Sequence, residues 1–194
     1  MIASQMFGEV DRLGNESVRT DFVHVILPIW PRGSYYQVGD GDDAQVMALR
    51  PHRASIALGI ARPWLWMIAT ILASGTLFDE RWRGLWPVTT GVIAIAAVAT
   101  WVLGRLPPDE VIRRSILQRT IGHGAPPELL PPASVENVRV ALTAAWGRHH
   151  ELPWREAIAR GVASDWLVAL AEYHREPRLS AAARANLERA DLVN

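Results

Sequence analysis

Histidines, carboxylates and arginines are the side chains here with chemistry to offer, and their spacing narrows what that chemistry is. His149-His150-Glu151 places two imidazoles next to each other. On a helix, adjacent residues project about 100° apart, so the pair cannot close on one metal ion as residues one turn apart do. His174, with Glu172 or Glu176, could join them only if the tertiary fold brings it there. A histidine pair at a helix end, meeting the negative end of the dipole, is the simpler expectation. The acidic cluster Asp40, Asp42 and Asp43 alternates only at its start. It lacks the sixth-position glycine and closing glutamate of a calcium loop, so it reads as a hairpin turn. His24 has no second histidine within useful spacing and reads as a strand residue.

Cysteine is absent, which excludes disulfides, thiolate metal sites and cysteine nucleophiles. No Gly-rich phosphate loop, nucleophile elbow or H-E-x-x-H string occurs. The chain therefore carries no motif for a catalytic, cofactor-binding or metal-binding residue. It reads as non-enzymatic, with no cofactor and no small-molecule substrate. Formal net charge is +0, so no overall field attracts nucleic acid. The basic residues are all arginine, a bias that suggests a GC-rich bacterial genome more than a function.

The elements that position these groups are organised around residues 55–104. Two apolar runs, 63–78 and 85–103, flank the polar turn Asp79-Glu80-Arg81-Trp82-Arg83-Gly84. The second run is free of charge, and at 1.5 Å per residue it nearly reaches across a hydrocarbon core of ~30 Å. The first is shorter. It either borrows residues 55–61, with Arg62 reaching back to the headgroups, or opens at Pro63. Trp64 and Trp66 at one boundary, Trp82 and Trp86 at the other, and Trp101 at the return boundary suit interfacial anchors, with Arg62 and Arg105 beside them. The pattern predicts a transmembrane helical hairpin. Small residues on the two runs, Ala69 and Ala73 facing Thr90 and Ala94, would let the helices approach closely.

Orientation follows from arginine. Arg50, Arg53, Arg62, Arg105, Arg113, Arg114 and Arg119 flank the pair, against Arg81 and Arg83 in the turn. That bias predicts a multi-pass protein of the bacterial inner membrane with both termini cytoplasmic.

Around the hairpin, residues 1–20 read as a polar tail. Residues 21–50 read as a three-stranded antiparallel β-meander at the membrane surface, its strands separated by Pro31-Arg32-Gly33 and by residues 39–43. Ile29, Trp30 and Tyr35 are its expected contacts with the bilayer or a partner. Residues 105–133 read as a juxtamembrane helix followed by a Pro-rich linker. Residues 134–194 read as a small cytoplasmic bundle of short helices, with Ser134 and Ser180 as caps and Trp146, Trp154 and Trp166 in the core. The fold expected is thus mainly α, a two-helix membrane hairpin between a small sheet and a helical bundle.

The function this architecture implies is an accessory or interaction subunit that anchors partners at the membrane. Its partners would be membrane lipids and other membrane or cytoplasmic subunits. The alternatives are a self-assembling homo-oligomeric scaffold and, further off, a surface enzyme acting on lipid or peptide through the histidine cluster.

Overall fold

A computed structural model describes residues 3–24, 27–39, 44–78, 84 and 86–192. The chain divides into two compact units, Met1–Leu106 and Pro107–Asn194.

The first unit is mixed α/β. Its strands β1 (Ala3–Leu13), β2 (Glu16–His24), β3 (Pro28–Val38) and β4 (Gln45–Leu49) form one antiparallel meander in the order β1-β2-β3-β4. Gly14-Asn15 closes the first hairpin between the paired Leu13 and Glu16, with Gly14 at φ 58. A positive φ at the first loop residue matches the right-handed twist of the flanking strands. β1 pairs from Ala3↔His24 to Phe7↔Thr20, then slips by one residue twice. Gly8 (φ 69) and Asp11 (φ 56) lie in the slipped stretches. Each slip is a β-bulge, with an extra residue in the left-handed region.

Two helices complete this unit, α1 (Arg53–Phe78) and α2 (Trp86–Val102). The opening turns of α1 pack on the face of the sheet that carries Thr20, Phe22 and Ser34. The approach is backbone to backbone. A Cβ on Gly8 would stand 2.0 Å from the Ser55 carbonyl oxygen, and one on Gly59 would stand 2.5 Å from the Phe22 ring. α2 returns beside α1, so that Arg62 early in α1 meets Thr100 late in α2.

This architecture corrects the expected mainly-α, two-span membrane fold. Among the described residues only α1, over Arg53–Leu72, is long and apolar enough to cross a membrane. α2 is a shorter apolar helix, and a two-helix transmembrane hairpin is not shown. The physical reason lies in the start of α1. Ser55, Leu58 and Gly59 are buried, and Ser55 and Gly59 lie against the sheet. The helix runs on through Pro63 instead of beginning there. The expected polar tail 1–20 is also corrected: it is β1 and most of β2, whose Val18, Thr20 and Phe22 alternate inward. The sheet accordingly has four strands, where the sequence predicted three. Asp40, Asp42, Asp43, Trp82 and most of the turn between the helices lie outside the described residues.

The second unit is all α: α3 (Pro108–Ile121), α4 (Pro132–His149), α5 (Trp154–Ala159), α6 (Asp165–Tyr173) and α7 (Pro177–Asp191). Prolines open α3, α4 and α7, where a missing N–H does no harm. Asp109 and Glu110 sit in the first turn of α3 and suit its positive end. α6 is the central post. Every residue from Leu167 to Tyr173 is buried, with Ile116, Leu117, Leu142, Trp146 and Trp154 also in the unit's core. The Pro-rich stretch before α4 is folded onto this core, since Ala125 and Leu130 are buried and the Tyr173 hydroxyl donates to the Ala125 carbonyl at 2.9 Å. Trp166, expected in the core, is 38% exposed at the start of α6. Ser180 is not a cap but a buried residue inside α7, while Ser164 caps α6 by accepting from the Trp166 N–H.

Candidate functional site: an arginine cleft below an apolar groove

In the first unit, three elements converge on Arg62. Its Nη1 donates to the Glu9 carbonyl on β1 at 2.8 Å, and its Nη2 donates to the Thr100 carbonyl on α2 at 2.8 Å. Thr100 lies in the last turn of α2, whose carbonyls lack helical partners and carry the negative end of the dipole. A guanidinium is well placed to satisfy them. The Asp11 N–H donates to the Gly104 carbonyl at 3.0 Å, tying the second bulge of β1 to the end of α2. A Cβ on Gly104 would stand 2.7 Å from Arg62 Nη2, so a larger residue there would push the guanidinium aside.

Around this junction opens a cleft of about 520 Å³, lined by Glu9, Arg12, Gly14, Arg62, Trp101, Gly104 and Arg105. Arg105 lies over the Trp101 ring with its Cζ 3.3 Å from the centroid, a cation–π contact. The Glu9 carboxylate is held by Arg19 at 3.1 Å and lies 3.7 Å from Arg12. Three guanidiniums thus share the cleft with one carboxylate that a fourth, Arg19, already engages.

A second cavity, of about 330 Å³, runs between α1 and α2. Leu65, Trp66, Ile68 and Leu72 form one wall, and Val92, Ile93, Ala96 and Ala97 the other. Arg62 and Trp101 line both cavities, so the apolar groove and the cationic cleft adjoin at these two side chains. Beside the Glu9 carboxylate, the guanidiniums of Arg12, Arg62 and Arg105 dominate the lining, and their N–H groups are the donor type that suits anionic oxygens.

The groups singled out in the sequence fall elsewhere. His150 stacks on Trp146 at 3.8 Å between centroids, and His149 is exposed beside it. His174 lies 4.8 Å from the Trp154 ring and 3.1 Å from Thr143 Oγ1. Burial, with the charges of Arg139 and Arg155, holds its pKa below the ordinary histidine value. No group of three histidines or carboxylates among the described residues could hold a metal. Arg113, Arg114 and Arg119, counted as juxtamembrane charges, serve the second unit: Arg113 binds Glu172, Glu128 and Glu110, Arg114 binds Glu110, and Arg119 binds Asp165.

The structure also places two groupings that sequence spacing could not reveal. Glu172 accepts from Arg113 at 2.5 Å, Ser180 Oγ at 2.5 Å and Arg184 at 3.2 Å. Burial lowers the Arg113 pKa, but bonding and charge from Glu172 and then Glu128 outweigh it and hold the guanidinium above its ordinary value. At the foot of α1, Ser55 Oγ donates to the Gly8 carbonyl at 2.7 Å and accepts from Thr20 Oγ1 at 2.9 Å. His52 Nε2 lies 3.7 Å from Asp11. These residue types could suggest a nucleophile triad, but His52 Nδ1 faces the Ser55 backbone N–H, and the Ser55 hydroxyl is buried on a carbonyl.

Of the expected interface anchors, Trp64, Trp66, Trp86 and Trp101 are exposed, and Arg62 and Arg105 sit in the cleft. Trp64 Nε1 donates to the Pro28 carbonyl at 3.4 Å, which brings the start of β3, with exposed Ile29 and Trp30, to the middle of α1. Tyr35 is half-buried. Ala69 is buried and Thr90 and Ala94 are exposed, while the Ala73 side chain lies outside the described ones. Compared with family models, curated proteins and solved structures, the chain finds no match.

Proposed function

We propose that this protein is a non-enzymatic accessory subunit held at the bacterial inner membrane through α1, presenting soluble surface to protein partners. One observation carries the reading. Ile68, Ile71 and Leu72 on α1, and Val88, Val92, Ile95, Val98, Val102 and Leu103 on or just after α2, are exposed together with four tryptophans. Monomeric water-soluble domains rarely expose contiguous apolar patches beyond a few hundred Å². Trp30 and Ile29 next to Trp64 extend this surface to the sheet, where amphipathic rings favour the headgroup level. Arg50, Arg53, Arg62 and Arg105 at the sheet end of the helices favour a cytoplasmic placement of that end.

Flotation with vesicles tests the anchor. The full chain is expected to float with liposomes and resist alkaline extraction, and the double variant Ile68→Arg/Ile71→Arg is expected to stay at the bottom of the gradient. Wild-type protein that remains folded and soluble without detergent would overturn the reading. Stoichiometric co-purification of a partner from mild detergent tests the accessory role, and a persistently lone monomer argues against it. A self-assembling scaffold is the second reading, supported by the exposed small residues Thr90 and Ala94 on α2. It predicts a homo-oligomer that Ala94→Leu dissociates.

A further inference from the structure

We infer that the α1–α2 groove and the arginine cleft together form a seat for one anionic glycerophospholipid, with an acyl chain in the groove and the phosphate in the cleft. The inference deepens the membrane-anchored reading and rests on it.

Complementarity runs along the whole cavity. From Arg62 to Leu72 the groove wall follows α1 for ten residues. At 1.5 Å per residue that is about 15 Å, half of a ~30 Å hydrocarbon core, or one leaflet. Both walls are aliphatic or aromatic apart from Thr100 at the Arg62 end, with no charge until Arg62. At that point the lining changes to Arg62, Arg105 and Arg12, with the Glu9 carboxylate, held by Arg19, at its side. Trp66 and Trp101 stand at the change, the depth at which indole rings favour the boundary between chains and headgroups.

Charge selects the headgroup. Arg62 bonds two carbonyls and Arg105 rests on a ring, so among the described residues neither is paired with a carboxylate. A phosphodiester without an added ammonium meets that unbalanced charge, whereas a choline headgroup brings its own cation. Gly104 leaves room for the Arg62 guanidinium.

Native mass spectrometry of the full chain, released from micelles doped with equal amounts of dioleoyl phosphatidylglycerol and dioleoyl phosphatidylcholine, tests the seat. One bound phosphatidylglycerol is expected, preferred over phosphatidylcholine by about tenfold, which is about 1.4 kcal/mol. Arg12→Gln/Arg105→Gln, which leaves the structural bonds of Arg62 intact, is expected to erase the preference. Ala97→Phe, which fills the groove, is expected to lower occupancy by both lipids. The exposed double variant Arg148→Gln/Arg178→Gln in the second unit is the charge-matched control and is expected to change neither. Equal retention of the two lipids by wild-type protein, or a preference that survives the double arginine variant, would overturn the seat. Displacement of the lipid by millimolar inorganic phosphate would reduce it to a bare anion site and overturn the acyl assignment. The anchor is read separately by flotation. Protein that floats on phosphatidylcholine vesicles without headgroup preference loses the seat and keeps the anchor, and a selective micellar adduct without flotation does the reverse.

Discussion

The two units use arginine in opposite ways. In the Pro107–Asn194 unit, guanidiniums answer carboxylates: Arg113 and Arg184 meet on Glu172, Arg119 pairs with Asp165, and Arg155 pairs with Glu176. In the Met1–Leu106 unit, Arg62 and Arg105 answer carbonyls and a ring, and the helix–sheet junction is held by hydroxyls and glycines instead. The contrast extends to surface. The second unit gathers its apolar residues around α6, whereas the first leaves those of α1 and α2 outside. The second unit pairs these guanidiniums with its own acids. The first pairs Arg12 and Arg19 with Glu9 but holds Arg62 and Arg105 on carbonyls and a ring, beside exposed apolar surface.

The difference can be broken at its strongest point first. Gly8→Ala puts a Cβ against the Ser55 carbonyl at a backbone angle that alanine resists, so strain and overpacking add to roughly 3 kcal/mol or more. Full-length protein carrying it is expected to show lost tryptophan fluorescence signatures of the first unit and an unchanged second unit by hydrogen exchange. An intact first unit would mean that the close approach of β1 to α1 is not what holds them. Next, Glu172→Ala strips the shared partner from Arg113 and Arg184. Breaking a buried ion pair costs about 3–5 kcal/mol, and Glu128 and Glu110 still hold Arg113, so the lower end is expected. Urea denaturation followed by hydrogen exchange in α6 and α7 measures it, and the first unit should not respond.

How much of this was legible differs by element. The breaks around Gly104-Leu106-Pro107-Pro108 and the helices of the second unit follow from proline punctuation and helical spacing, which are local signals. β1 was not legible, because the bulges at Gly8 and Asp11 interrupt the alternation of period two that marks a strand. The Leu13-Gly14-Asn15-Glu16 turn and the alternating Val18, Thr20 and Phe22 were the available signal. The apolar runs were visible as runs. Their composition does not say that the first turns of α1 lie on a sheet, since the glycine and serine that fit there also suit lipid. Arg62 was visible as a flanking cation, but its partners lie on other elements, and no spacing rule reaches them.

Smaller effects sharpen the contrast. His174 has its pKa depressed by burial and by Arg139 and Arg155, so the unfolded chain binds more protons below the ordinary histidine value near 6.5. Its contribution to stability is present above that pH and is lost as pH falls toward the depressed value. The thermal midpoint of the second unit is expected to decline modestly from pH 7 to 5, and His174→Gln should flatten that slope. An unchanged slope would assign it to other groups. Smallest of all, Arg139→Ala removes a solvent-facing surface pair with Glu136 and should leave the thermal midpoint where it was.

The bond from the Asp11 N–H to the Gly104 carbonyl has a consequence for synthesis. An emerging chain makes its first strand early and the acceptor for that strand's outer edge only after both apolar helices have left the ribosome. α1 covers the Gly8 and Glu9 carbonyls earlier, so only the end of β1 at Asp11 stays open until then, and production that stalls between the helices should leave that end free to pair with other chains.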